Sequence, residues 1–353
     1  TLDKVIRREF QLVEGDAFNA SKLRRSRTRI RNLGFFETVD VEQTPGSAPD
    51  KTILNATVEE KPTGQITLGA GFSSEVGVLG DIQLQERNFL GKGQNLKLQL
   101  QIAAEASQVD LSFTEPYFLD RELSAGFDIF RTARDLQDTS SFDLERTGAR
   151  LRLGYRITED FSQNWRYMFR LSDISNVDDD ASTLVQAQEG SETQSQISHV
   201  LTLDKRDKVF NPTNGYLLQL ETDLAGFGGS VRHFRNTARA STFHPLADQW
   251  IVSLTGKAGL VSEIGKDILL PERYFIGGND IRGFETAGIG PRDTATDDAL
   301  GGEWMYAGSL GLKFPTGLPA ELGVSGRLFT DFGSSGGLSP TNSTTVDEAS
   351  LRM

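Results

Sequence analysis

The chain has 353 residues, of which 37% are hydrophobic and 24% charged, and its net charge is −12. So acidic a chain excludes nucleic-acid binding as its main work, because phosphate recognition needs a basic face. The absence of cysteine excludes a disulfide scaffold and any thiolate metal site.

The first sixty residues form a unit of their own. Val5–Phe10 reads as a strand. Asn19 or Ser21 caps a helix that runs to about Asn32, with Leu23, Ser26, Ile30 and Leu33 on one face and Gly34 as its left-handed stop. Val39–Gln43 and Ile53–Glu59 read as two strands joined by a Pro/Gly/Asp turn. Residues 1–62 are therefore expected to be a small α+β domain, a helix packed on a sheet. Lys22, Arg24, Arg25, Arg27, Arg29 and Arg31 make the helix basic. That pattern suits a solvated face, or a docking face for an acidic accessory lipoprotein or anionic headgroups.

From about Thr63 the hydrophobic period changes to two. Ile66, Leu68, Ala70 and Phe72 alternate with Gln65, Thr67, Gly69 and Gly71. Leu151, Leu153 and Tyr155 alternate with Arg150, Arg152, Gly154 and Arg156. About thirteen such runs, each roughly nine to eleven residues long, precede Met353, the length of a tilted membrane strand. No run approaches the roughly 18–20 apolar residues of a membrane helix. A soluble sandwich would alternate too. Arginines on the polar side, as in a wet lumen, favour a membrane barrel over 63–353. So does the contrast of short links (Ser73–Gly77, Asn88–Gly93) with long polar ones (Asn176–Thr193). So do the aromatic residues at Tyr117–Phe118 and Tyr274–Phe275, which suit a girdle. One connection, 264–303, is too long for a turn. An odd strand count leaves unpaired edges, which lipid forbids, so further C-terminal strands are expected beyond Ser350-Leu351-Arg352-Met353. No signal peptide is visible at Thr1 although export needs one, so the sequence reads as mature or trimmed.

Within the long connection stands Gly277-Gly278-Asn279-Asp280-Ile281-Arg282-Gly283-Phe284. Asp204-Lys205-Arg206-Asp207, followed by Asn211-Pro212 and Gly215, forms a second motif. Glu115-Pro116-Tyr117-Phe118 is a third, and Asn32-Leu33-Gly34-Phe35-Phe36-Glu37-Thr38-Val39 a fourth. In content and order these resemble, respectively, the loop-six signature, the mid-barrel strand-and-turn motif, the early hairpin motif and the end of a polypeptide-transport-associated (POTRA) domain of BamA-type outer-membrane assembly factors. The resemblance implies a sixteen-strand antiparallel barrel behind several POTRA domains, of which this sequence holds the last and about thirteen strands. It implies an outer-membrane location with the N-terminal domain in the periplasm. It also implies a role in folding and inserting outer-membrane β-barrels without nucleotide or cofactor. Expected partners are unfolded outer-membrane proteins, periplasmic accessory lipoproteins, periplasmic chaperones and outer-membrane lipid. A two-partner-type secretion pore of the same superfamily is the alternative.

Site residues follow from the same resemblance. Arg282, flanked by Ile281, Gly283 and Phe284, is expected to pin loop six to Asp331 on the inner wall. A second acidic partner is expected where Gly311 stands. Asp204 and Arg206, in one motif with Asp207, are expected on one polar strand face, as a lumenal ion pair or a brace for the base of loop six. The first barrel strand, with Gln65, Ile66, Thr67, Leu68, Gly69, Ala70, Gly71 and Phe72, is expected to be the movable side of a lateral gate. Arg24, Arg25, Arg27, Arg29 and Arg31 are candidate docking residues. Catalysis finds little support. His199, His233 and His244 lack metal-ligand spacing, and neither Gly-x-Ser-x-Gly nor a phosphate loop occurs. Asp178-Asp179-Asp180 lack the spacing of a calcium loop and read as solvated.

Overall fold

The computed structural model of the chain describes residues 1–48, 51–73, 76–318, 322–347 and 351–352. Pro49 and Asp50 of the first expected turn, Ser74 and Glu75 of the first barrel hairpin, and Ser350 and Met353 lie outside them.

The N-terminal unit holds helix α1 (Asp3–Arg7), helix α2 (Ala20–Asn32) and the antiparallel pair β1 (Phe36–Pro45) and β2 (Thr52–Glu60). Asn19 caps α2, its Oδ1 accepting from the amides of Ser21 and Lys22 at 2.9 and 3.1 Å. Two donors that every helix start leaves open are thereby met. Val5, Ile30, Phe35, Phe36 and Val39 make the core. The strand expected over Val5–Phe10 is a helical turn instead. Alternation would have put Val5 on one face with Arg7 and Glu9. The helix buries Val5 completely and brings Arg7 onto Asp3, one turn back, at 2.5 Å.

The barrel elements follow in chain order: β3 (Gly64–Ser73), β4 (Gly77–Phe89), β5 (Gln94–Ala103), β6 (Ala106–Glu115), β7 (Leu123–Asp135), helix α3 (Gln137–Ser140), β8 (Asp143–Arg156), β9 (Phe161–Ser175), helix α4 (Thr183–Gln186), β10 (Gly190–Asp204), β11 (Gly215–Gly229), β12 (His233–Ala247), β13 (Trp250–Glu263), β14 (Arg292–Asp293), β15 (Trp304–Pro315), β16 (Ser325–Gly336) and β17 (Thr345–Val346). Among the described residues thirteen strands form one antiparallel sheet, β3 to β13 and on through β15 to β16, while β14 pairs with β17. The sheet strands run from ten to fifteen residues, beyond the nine to eleven expected. The surplus lies at the end bearing the long loops, where Leu144 of β8 and Ile174 of β9, still paired in the sheet, join a core of loop residues.

Alternation sorts the strands into two faces. Ile66, Leu68, Leu151, Tyr167, Phe169 and Leu254 stand exposed on the outside. So broad an apolar belt is inadmissible against water and suits hydrocarbon. The inside is ionic: Asp128, 5% exposed, meets Arg152 at 2.8 Å and Arg150 at 3.5 Å. Trp250 stacks on Phe314 and Trp304 on Tyr306 toward opposite ends of the wall, with ring centroids 5.7 and 6.2 Å apart.

Tyr117 and Tyr274, expected at the girdle, serve elsewhere. Tyr274 is buried among loop-six residues. Tyr117 holds the N-terminal domain: Arg8 lies over its ring at 4.1 Å, and its hydroxyl donates to Glu9 at 3.3 Å. Leu2 donates its amide to the Gly91 carbonyl at 2.7 Å, and Lys4 meets Asp120 at 3.2 Å. The Glu-Pro-Tyr-Phe turn is thus the seat of the small domain. Spin labels on cysteines placed at Thr28 and Thr158 are expected to report one narrow distance. Tyr117→Ala is expected to raise the undocked fraction about three- to tenfold, the worth of one cation–π contact. An unchanged distribution would show that the turn does not hold the domain.

Candidate functional site: loop six in the lumen

Loop six spans 264–303 and folds against the inner wall. Its tip is seated by hydrophobic packing. Ile281 has no exposed surface and packs with Val261, Tyr274, Ile276, Ile289 and Met305, with Phe284 against the same cluster. Gly333 on β16 makes the room, since a Cβ there would lie 2.7 Å from Ile281 Cδ1. Gly283 takes φ +92°, a conformation that only glycine adopts readily.

Arg282 then meets the wall in three ways. Its Nε and Nη2 fork onto the two oxygens of Asp331 at 2.6 Å each, and its amide donates to Asp331 Oδ2 at 3.1 Å. Its Nη2 donates to Ser309 Oγ at 3.1 Å. Its guanidinium stands over the Phe329 ring, with Cζ 3.2 Å from the centroid. A planar fork on a carboxylate is the geometry that Arg has and Lys lacks. Asp331 is almost fully covered, whereas the Arg282 side chain is 41% exposed. Lys257 adds a contact to Asp280 at 3.3 Å.

The second partner expected near Gly311 is corrected to Ser309. Gly311 faces Phe329 across the register, and a Cβ there would crowd Ser253 and Arg327. Ser309 faces Asp331 and gives Arg282 a hydroxyl in place of a carboxylate.

The Asp204 motif forms the expected Asp204–Arg206 ion pair, at the end of its strand. β10 ends at Asp204, and Arg206 lies in the turn beyond it. Arg206 forks onto Asp204 at 2.8 and 2.7 Å, and its Nη1 donates to the Val209 carbonyl at 3.4 Å. Asp207 accepts from the Thr213 hydroxyl, the Asn214 amide and the Thr213 amide at 2.6, 3.0 and 2.9 Å. These bonds hold its carboxyl well below the usual carboxylate range. The three residues tie up their own turn, not the base of loop six, because a spacing of two lets the Arg fork fold back on the Asp.

The basic helix divides. Arg27 reaches Asp40 at 3.1 Å and the Val39 carbonyl at 3.2 Å, and Arg31 reaches the same carbonyl at 3.4 Å. Arg29 meets Glu9 at 3.0 Å, beside the Tyr117 seat. Arg24 and Arg25 remain exposed. Among the described residues β3 pairs with β4 alone, and every residue from Gln65 to Phe72 is exposed. Asp178, Asp179 and Asp180 are exposed too.

One anchor was not visible in the sequence. Glu272, 4% exposed at the root of loop six, pairs with Arg170 of β9 in a short contact and with Arg146 of β8 at 3.2 Å. Arg235 of β12 and His233 approach at 3.8 and 3.9 Å. Burial pushes the Glu272 carboxyl up, but Arg170, Arg146 and Arg235 outweigh it and hold it at about 2. The excess of inward arginines was the only available signal. Above this anchor, Leu270 and Leu300 of loop six enter a core with Leu144 of β8 and with Phe142, Ala181 and Val185 from two other loops. Asp298 accepts from Ser141 Oγ at 2.6 Å and the Ser182 amide at 2.6 Å, and Asp293 accepts from Ser182 and Thr344 at 2.7 and 2.9 Å. The long loops thereby form one cap.

Comparison with known proteins matches a family model described as the Omp85 superfamily domain to residues 88–352, and a POTRA model, described as surface antigen variable number repeat, to residues 1–61. The chain belongs to the Omp85 superfamily. It is 33% identical over 354 residues to the outer membrane protein assembly factor BamA of Neorickettsia risticii, across 100% of this chain and 48% of the relative. The chain spans about half the length of the curated relatives it matches. BamA from Haemophilus ducreyi lacking POTRA domains 1–3 shares the fold at TM-score 0.85 and 23% identity, over 96% of this chain and 70% of that one. CdiB from Acinetobacter baumannii shares it at 0.59 and 16%, over 96% and 62%. This Omp85 barrel sits in the outer membrane with its POTRA domain in the periplasm. The turns that touch that domain mark the periplasmic end, and loop six enters from outside.

Both anchors are open to test by labelling a cysteine placed at Glu285. Glu272→Ala leaves three cations around an empty place, and breaking a buried pair costs about 3–5 kcal/mol. Loop six should then label faster and the barrel should unfold at lower temperature. Because the Glu272 carboxyl is depressed, its contribution is present above the ordinary carboxylate range and lost only as pH falls toward about 2. Labelling of the parent at fixed thiolate concentration should therefore stay flat from pH 8 down to about 5. Arg282→Ala strands Asp331, but Arg282 is part-exposed, so a smaller loss of about 1–3 kcal/mol is expected, with Arg282→Lys intermediate. Equal labelling in all forms would dismiss both anchors.

Proposed function

We propose that this chain is the barrel-bearing part of an assembly factor that folds and inserts outer-membrane β-barrel proteins, with β3 as the template. The observation that carries this reading is the character of β3: it is the first strand of the wall, carries Gly69 and Gly71, and is exposed from Gln65 to Phe72. Whenever its outer side opens, it offers a row of backbone donors and acceptors at membrane depth, where hydrocarbon can satisfy none of them. An incoming strand that pairs there meets both sets of groups at once, and the next hairpin can pair with it in turn. Pairing and lipid burial supply the drive, so nucleotide and cofactor are not needed. Gly69 and Gly71 weaken the strand and leave few side chains to lock it. The opposite stretch of wall stays firm through Glu272 and Arg282, so movement concentrates at the β3 edge, as a lateral gate requires. Arg24 and Arg25 are the residues of the basic helix free to meet an acidic accessory lipoprotein. Chaperone-delivered, unfolded barrel proteins are the clients.

A secretion pore is the second reading, supported by the likeness to CdiB. A lumen filled by loop six under a joined cap speaks for folding at the wall over passage through the centre.

The test uses the full-length protein, reconstituted with accessory subunits and given an unfolded outer-membrane barrel. Residues 1–353 hold no cysteine, so single cysteines placed at Ile66, Thr67 or Leu68 are unique reporters within this part of the protein. Disulfides to one client strand in a fixed register, absent from matching positions on β8, together with faster folding than in empty liposomes, are expected. No such cross-links, with conductance and export of one cognate protein, would replace this reading with the pore.

A further inference from the structure

The lipid-facing wall carries a recess. Between β10 and β16 an apolar groove of about 840 Å³ is let into the outer surface. Its depth follows from side-chain size along the register. Leu218 on β11 stands beside Ala240 on β12, then Gly256 on β13, then Gly308 on β15. Gly256 presents bare backbone, its missing Cβ meeting nothing closer than 3.9 Å. Phe332 closes the far side by lying across Gly308. Leu218 and Leu254 of the same strands are exposed in the apolar belt, so the mouth of the groove opens on hydrocarbon. An unfilled recess forfeits dispersion contacts on one side, and in lipid the selection of an occupant falls to shape and to the headgroup.

The periplasmic end of the groove supplies the headgroup contact. Leu201 and Leu203 line it, and Lys205 continues their outward alternation just past the end of β10. Lys205 is exposed, and its amide donates to the Tyr216 carbonyl at 2.8 Å, which sets the two residues side by side. Tyr216 itself borders the groove. A cation and a phenol therefore stand at the depth of the phosphates, directly below a channel for a hydrocarbon chain.

We propose that this groove, with Lys205 and Tyr216 at its foot, binds one phospholipid of the periplasmic leaflet. One acyl chain lies along Ala240 and Gly256 between the ridges of Leu218 and Phe332. The phosphate meets Lys205, and Tyr216 donates to the glycerol region. The cation at phosphate depth, directly below a recess one hydrocarbon chain wide, selects a lipid as the occupant. The site is independent of what the β3 edge does.

Full-length protein in nanodiscs of phosphatidylethanolamine, doped with phosphatidylglycerol bearing a diazirine in one acyl chain, tests the proposal. Photolysis and peptide mapping should concentrate the label on β11–β13 over the lipid-facing residues of β5–β8. Lys205→Gln should lower the preference for the anionic probe over a zwitterionic one about fivefold, the worth of one interfacial cation. Ala240→Leu, and separately Gly256→Leu, should fill the recess and reduce labelling by both probes. Heat-modifiable gel mobility checks that each variant is folded. Label spread evenly around the barrel of the unaltered protein would overturn the proposal. Cross-linked pairs of barrels through β12 and β13 would overturn it in favour of a second copy.

Discussion

Hydrocarbon offers backbone groups nothing to bond with, and the structure is organised by that fact. Thirteen strands satisfy one another in sequence, each paired to its chain neighbour except where loop six intervenes. The same constraint forces the strict alternation, because every second side chain must be acceptable to lipid. It also makes the outer side of β3 reactive whenever it opens, and the proposed chemistry sits there.

The lumen presents a second problem. Arginine lines β8, β9 and β12 and must be balanced by carboxylates or by water. Loop six brings one carboxylate, Glu272, into the densest part of that field, and one cation, Arg282, to an acidic place on β16. Each contact carries a charge opposite to its own wall. The loop therefore has one orientation in which both pairs form, and a reversed or slipped loop would set like charges together. Hydrophobic seating of Ile281 supplies adhesion without direction; the ion pairs supply the direction.

Much of this was legible in the residues. Alternation from Thr63 onward yields the sheet and its strand number, because a period of two is imposed by the lipid itself. The helix of the small domain was legible from Asn19 and Gly34, whose backbone demands are local. Val5–Phe10 was misread because a single helical turn is too short to show a period. Arg282 and Asp331 were recognisable through a motif. Ser309 was not, since a serine among many serines gives no sign that a guanidinium reaches it. Glu272 was hidden for a related reason: its partners lie more than 100 residues away on β8 and β9, and only the register brings them together. Tyr117 looked like a membrane anchor because aromatic residues near strand ends usually are, and its true neighbour, Arg8, belongs to another domain.

The joined cap has a consequence for how the exterior can change. Ser141, Ser182, Asp293, Asp298 and Thr344 come from four separate loops and are bound to one another by hydroxyl–carboxylate and amide–carboxylate bonds. An insertion in one loop moves its serine off a shared aspartate and leaves a buried acceptor unmet. The surface seen by antibodies and phages is therefore not a set of independent patches. Its loops are free to diversify only together, and an escape variant that lengthens one of them has to carry a matching change in another.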